Sequence, residues 1–497
     1  MGSLRELAGK LWKSDRPVAR TTRLWAPYLF AVLILFLDPI LHAFGTIDFV
    51  GGKENAVDRA VGTALSPFYG GRGRPGQQDI VIVELDDAFR EQAGGSWPPA
   101  YATTNALLQK VLADQPRAVF LDTYFQDPHT PGFWPDQDGA RRLAATLTQH
   151  QPGGGVAPVF IGPVLSKTFP LSLLAVNTAN QVGIDRSDEG DFGYPTRDNA
   201  NRPMAAVALY QAWLGHAPPP LPKDLALDWG FGGSPWTAAR RQDLPFCFAD
   251  SEAARWSRFG ALLWRLAAPN LKSREAATPG HDVQCHYFDS VSAVELGDKV
   301  VDDHLRGRIV LIGSTMTSLA DRAATPLQSS VPGVTVHAMA LDNLIQNGAS
   351  VTHYPAQHDW WLRIDNYDLL QFGLLTAGFI MIGVWRFAAR TPAEEDLPSR
   401  ARLTVWLAVL FVALLVALLC HWPLSKAVFM VLVGGACSEA WAKIVEHQRE
   451  RQSHPSSIPS ASGKEEHETV VVIDRVVRVV DEPGSSPELQ DDSAPSD

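Results

Sequence analysis

The stretch Arg308–Gly348, RIVLIGSTMTSLADRAATPLQSSVPGVTVHAMALDNLIQNG, decides how this chain is read. Ile309 to Ile312 is a run of bulky apolar residues that breaks at Gly313-Ser314-Thr315. A polar loop follows with Asp321 and Thr325-Pro326, and Pro332-Gly333 makes a second break. The segment through His337, Leu341, Leu344 and Ile345 then has helical spacing. A short apolar strand ending in Gly-Ser-Thr is the usual opening of an α/β unit. The first of three closely spaced apolar segments lies just downstream. The last well-patterned piece of a large soluble region is therefore expected to be tied to a membrane.

Upstream, Asp79 to Leu85 reads as a strand and ends in Asp86-Asp87. Thr103 or Thr104 can cap a helix in which Ala106, Leu107, Leu108, Val111 and Leu112 recur at helical spacing, with Pro116 as its stop. Ala118 to Leu121 is a second buried strand and ends in Asp122. Strand, helix and strand in that order predict a parallel, right-handed unit. Pro158 to Val164 is expected as an edge strand. The polar run Val182–Pro203, VGIDRSDEGDFGYPTRDNANRP, precedes a helical pattern with Met204, Val207, Ala208, Trp213 and Leu214. Leu225–Trp229 reads as a strand and Asp289–Leu296 as a short helix. The fold class expected is α/β, with a mixed or parallel sheet.

The chain has 497 residues, enough for several domains, and a net charge of −11. That charge argues against nucleic acid as a partner, which needs a clustered basic face. Residues 1–23 are basic, and Leu24–Phe44 is apolar over a length that crosses the roughly 30 Å hydrocarbon layer. A cleaved signal peptide is the competing reading, but the run is long and no small-x-small site follows it. Asp38-Pro39 interrupts it. The soluble region spans 46–366. Three apolar segments follow, 369–385, 403–420 and 424–441, and basic residues flank the ends expected inside. The predicted topology is four spans, one large external domain, and both termini in the cytoplasm. The tail 442–497 is mostly rich in Ser, Pro, Glu and Asp and is expected to be disordered. Within it, Glu468–Val480 is dense in Val and is read either as a sticky low-complexity piece or as a strand that docks on a partner.

Asp86 and Asp122 each follow an apolar strand, so a parallel sheet puts both on the edge where ligands bind. Gly313, Ser314 and Thr315 join that edge, where their backbone N–H groups could meet an anion, and Asp321 comes from the next loop. These six are the candidate ligand-binding residues. The competing reading of each is a helix cap or turn former. His281, Cys285, His286 and His304 match no strong zinc pattern, and no cofactor is expected. Cys247 and Cys285 are a candidate disulfide, because an external domain meets an oxidising space. Gly70–Gly76, GGRGRPG, lacks the Lys-Ser or Lys-Thr of a phosphate loop, and IGSTM lacks the second glycine of a nucleophile elbow. No enzyme is expected.

Three quoted pieces carry a resemblance: IVIVELDDAFREQAGGSWPPAYATTNALLQKVLADQPRAVFLDTYF, DFGYPTRDNANRPMAAVAL, and the whole of Arg308–Gly348. In order and spacing they resemble the class-two CHASE domain, a cyclase- and histidine-kinase-associated sensory extracellular module, over roughly Phe49 to Gly348. The layout of one span, the sensor domain and three spans is also similar. The resemblance implies a sensor in the inner membrane of a bacterium, its domain in the periplasm, with an unknown ligand or protein outside. The usual cytoplasmic output domain is missing here, so a separate cytoplasmic partner, reached through the tail, is expected. A homodimer is compatible with this. The alternative is a non-catalytic assembly component of an envelope complex that uses the domain for docking.

Overall fold

The structure is a computed structural model. It describes residues 61–62, 65–66, 69, 75–95, 97–123, 125, 137–165, 171–184, 193–230, 234–240, 287–316, 321–323, 325, 331–353, 373, 399–425 and 428. The strands are β1 Ile80–Leu85, β2 Ala118–Asp122, β3 Val159–Ile161, β4 Gly193–Pro195, β5 Asp224–Ala226, β6 Asp289–Ser292, β7 Ile309–Ser314, β8 Arg322–Ala323 and β9 Val331–Pro332. The helices are α1 Pro75–Asp79, α2 Asp87–Gln92, α3 Tyr101–Ala113, α4 Gln137–Gln149, α5 Ser172–Ala175, α6 Ala205–Leu214, α7 Pro235–Arg240, α8 Lys299–Leu305, α9 Gly333–Asn347 and α10 Ser399–Cys420.

Five strands form an all-parallel sheet in the order β3-β2-β7-β1-β6. Its three central strands are continuous apolar runs because both faces of the sheet are covered. Alternation then sorts the side chains. Ile80, Ile82, Ala118, Phe120, Phe160, Ile309 and Leu311 join the cluster that contains α6 and α9. Val81, Val83, Val119, Leu121, Val159, Val310 and Ile312 join the one that contains α3, α4 and α8. The result is three layers, helix on sheet on helix. The antiparallel pairs β4–β5 and β8–β9 flank the sheet.

Several expectations are corrected. Asp289–Leu296 is a strand followed by a 3-10 turn, Ala293–Glu295, rather than a helix. Val291 there is buried in the core beside β1, so pairing overrides a weak local pattern. The helix expected from Thr103 or Thr104 begins at Tyr101, its N-cap is Ala100, and no side chain caps it. Gly313 and Ser314 end β7 instead of leaving it. The strand expected at 225–229 is shorter and sits at Asp224–Ala226.

The amino-terminal edge is closed by a satisfied polar network. The buried carboxylate of Asp289, at the start of β6, accepts from Arg308 Nη1 at 2.5 Å, from His304 Nε2 at 2.7 Å and from the Ser234 hydroxyl. Burial pushes the Asp289 pKa up. The hydrogen bonds from His304, Ser234 and Arg308 outweigh it and hold the group below the usual carboxylate range. Trp236 stacks on His304 with ring centroids 4.0 Å apart.

The apolar segment expected at 403–420 lies in α10, whose side chains are described from Thr404 onward. Among the described residues no helix is long and apolar enough to cross a membrane. The segments expected at 24–44 and 369–385, most of 424–441, and the tail lie outside the described residues.

α9 lies very close to β7. A Cβ at Gly313 would fall 2.5 Å from the Cβ of Val334, an atom fixed to the helix backbone. Gly313→Ala is expected to destabilise the chain by about 1–3 kcal/mol through overpacking. Adding Val334→Ala should restore part of that loss, read as a coupling in a double-mutant cycle of urea melts.

Candidate functional site

The carboxyl-terminal edge of the sheet holds the candidate site. The connections after β1 and β2 carry α3 and α4 on one face, while β7 is followed by α9 on the other. Neighbouring strands whose chains leave to opposite faces open a crevice at their carboxyl ends. In register, Gly313 of β7 lies between Asp122 of β2 and Glu84 of β1. Side chains alternate along a strand, so Asp122 follows Ala118 and Phe120 toward α9, and Glu84 follows Ile80 and Ile82. Two acidic residues thus flank a bare glycine beneath the start of α9, and Glu84 is buried at 3% exposure.

His337 lies one helical turn after Gly333 and reaches this row from above. Its Nδ1 is 2.8 Å from the Tyr194 hydroxyl of β4. The Ala206 amide donates to that same oxygen at 3.0 Å. The phenol can then give its own hydrogen to Nδ1, which puts the ring proton on Nε2, facing Asp122. Phe120 meets the ring edge-on, with centroids 5.3 Å apart. Nε2 stops 4.0 Å from Asp122 Oδ1, beyond hydrogen-bond reach. Asp122 Oδ2 is buried and has no hydrogen-bond partner in the protein. The side chain is only 6% exposed. Burial raises the Asp122 pKa well above the ordinary carboxylate value, and the charge of Asp321 raises it further.

The other candidates have structural work. Asp86 caps α2: Oδ1 accepts from the Phe89 amide at 2.9 Å and Oδ2 from the Ser292 hydroxyl at 2.7 Å. Gly313 makes room for Val334. The Ser314 hydroxyl accepts from the Met316 amide at 3.3 Å, and the Thr315 amide donates to the Leu85 carbonyl at 3.3 Å. These donors are turned into the fold rather than toward an anion. Asp321 is exposed, and its carbonyl accepts from the Gly333 amide at 3.2 Å. A Cβ at Gly333 would fall 2.3 Å from Asp321 Oδ1, so this carboxylate already lies against the start of α9.

Sequence reasoning missed three residues of this edge. Glu84 is hidden inside an apolar strand, although its even spacing from Ile80 and Ile82 was visible. His337 was placed on the right helix but not in the site. Tyr194 sits in a polar run whose form is set by Asp198, which accepts from the Ala200 and Arg202 amides and pairs with Arg202 at 2.7 Å. His304 is engaged by Asp289. Among the described residues no cluster of three or more His, Cys, Asp or Glu could hold a metal ion. His281, Cys285, His286 and Cys247, and with them the candidate disulfide, lie outside the described residues.

Against known proteins, the family model described as CHASE2 domain matches residues 53–383. Comparison with curated proteins and with solved structures gave no match.

A carboxylate whose pKa is raised on folding binds protons more tightly in the native state, so its ionisation opposes folding above that pKa. Asp122→Asn should therefore raise the melting temperature, with a gain that is absent below the ordinary carboxylate value, grows as pH rises from there to the raised value, and levels off above it. A melt series of both chains across pH checks this. An unchanged or lower melting temperature throughout would contradict it.

Proposed function

Since the chain belongs to the CHASE2 family, we propose that it spans the inner membrane by four helices, holds its sensor domain outside, and relays a binding event to a separate cytoplasmic partner. The reading includes no catalytic centre. The observation that carries it is one contact. The His353 amide, at the end of the soluble domain, donates to the His421 carbonyl just after α10, at 2.9 Å. This contact supports the reading in which the 421–425 link lies on the domain's side of α10, the side proposed from the distribution of basic residues.

The character of α10 supports a membrane setting. It has 22 residues and a length of about 33 Å at 1.5 Å per residue. Trp406, Val409, Ala413 and Ala417 are covered, while Leu407, Phe411, Val412, Leu415, Leu418 and Leu419 stand exposed. Exposed apolar side chains in that number suit lipid tails better than water.

The path from site to membrane is short. α9 starts at Gly333, carries His337, and ends at Asn347. Buried Val351 and half-buried Thr352 follow, and the Thr352 carbonyl accepts from the Ala226 amide at 2.9 Å. His353 comes next. A displacement of α9 at the site therefore reaches the His421 contact within one unbroken stretch of chain. For a ligand to send it, the ligand must bind one position of α9 better than another.

Cys420, free and half-buried, sits beside that contact and reports on it. In intact cells a membrane-impermeant maleimide should label Cys420, while a cysteine placed at Lys10 should stay unlabelled until the membrane is opened. The reverse pattern would sink the topology. A fraction of spent medium that holds the ligand should change the Cys420 labelling rate. A stable stoichiometric complex with no such change would favour docking over sensing.

A further inference from the structure

The sequence left the sign of the ligand open, with the Gly313-Ser314-Thr315 amides as a candidate anion site. The geometry answers this differently. The Thr315 amide is bonded to the Leu85 carbonyl and the Met316 amide to the Ser314 hydroxyl. The start of α9, the natural place for an anion, already has the Asp321 carboxylate against Gly333. Glu84 and Asp122 sit below, on either side of Gly313. Between Thr315 and Gly333 the chain carries one basic residue, Arg322. The Asp122 carboxyl group and the exposed Asp321 carboxylate thus lie close to each other at this edge. A phosphate or carboxylate ligand would meet repulsion here. A cation would meet attraction.

The second observation is Asp122 itself. Its side chain is more than nine-tenths buried, yet Oδ2 has no partner, and Oδ1 stops short of His337. An acceptor left unmet inside a protein costs stability, and more so when charged. Asp86, just past the end of β1 on the same edge, is by contrast satisfied by Phe89 and Ser292. Asp122 therefore has hydrogen-bonding capacity that the fold does not use, at the crevice where a parallel sheet takes its ligands. A metal ion fits less well, since no three ligating groups converge among the described residues.

We propose that this edge binds a small organic ammonium ion, with its N–H groups donating to the unpaired oxygen of Asp122 and to Asp321. The location rests on the sensor reading above. The sign of the ligand does not.

The test uses the full chain in lipid nanodiscs, with methylammonium, ethanolamine and putrescine as probes and calcium and inorganic phosphate as controls. At millimolar concentration at least one amine should raise the melting temperature of the wild type, and the shift should vanish in Asp122→Asn, whose own melt shows that it folds. Asp321→Asn should weaken the shift several-fold. No shift with any amine, an equal shift in Asp122→Asn, or stabilisation by calcium or phosphate alone would overturn the proposal. Cys420 labelling separates the two readings. Spent medium that alters labelling while all three amines bind nowhere leaves sensing intact and removes the ammonium ion. An amine that binds through Asp122 without altering labelling keeps the site and removes the relay.

Discussion

Val334 packs into the space that a side chain at Gly313 would fill, and much of the domain follows from that contact. It sets α9 hard against β7, the middle strand of the sheet. It therefore fixes the height of His337 above Asp122 and Phe120. Eleven of the 15 residues of α9 are buried, including His337, Asp342 and Asn343. Asn343 exchanges hydrogen bonds with the Asp228 backbone, which ties the far end of the helix to the segment after β5. A helix so enclosed moves as a body or not at all.

Two buried aspartates on opposite edges of one sheet show what this arrangement does. Asp289 is surrounded by donors, and its proton is held loosely. Oδ2 of Asp122 has no hydrogen-bond partner, and the proton of that group is held tightly. Burial acts on both in the same direction, so the difference lies in the partners. The first pattern locks an edge. The second leaves one ready to take something up, at some cost to stability, as sites under functional demand commonly do.

Much of the architecture could be read from the chain. Ile80–Leu85, Ala118–Asp122 and Ile309–Ser314 announced themselves as buried parallel strands by continuous apolar character, and the family pieces fixed their grouping. β6 could not be read. Asp289-Ser290-Val291-Ser292 has two serines and one β-branched apolar residue, and only its pairing with Val81–Glu84 makes it a strand. The site was half legible. Strand-end aspartates are easy to find, but whether one is a cap or a free group depends on donors far away in sequence. Ser292, some two hundred residues from Asp86, satisfies that carboxylate, and nothing comparable reaches Asp122. Tyr194 and His337 meet across a gap of 143 residues.

The strand order has one more consequence. β7 lies between β1 and β2, yet it is made long after both. A chain growing from its N-terminus has β2, β3 and their helix on one side and β1 on the other, with two open inner edges and no strand between them. Unpaired inner edges invite contact with other chains. Until Ile309–Ser314 emerges they cannot close, and a chain arrested before that point holds two half-sheets with no way to become one.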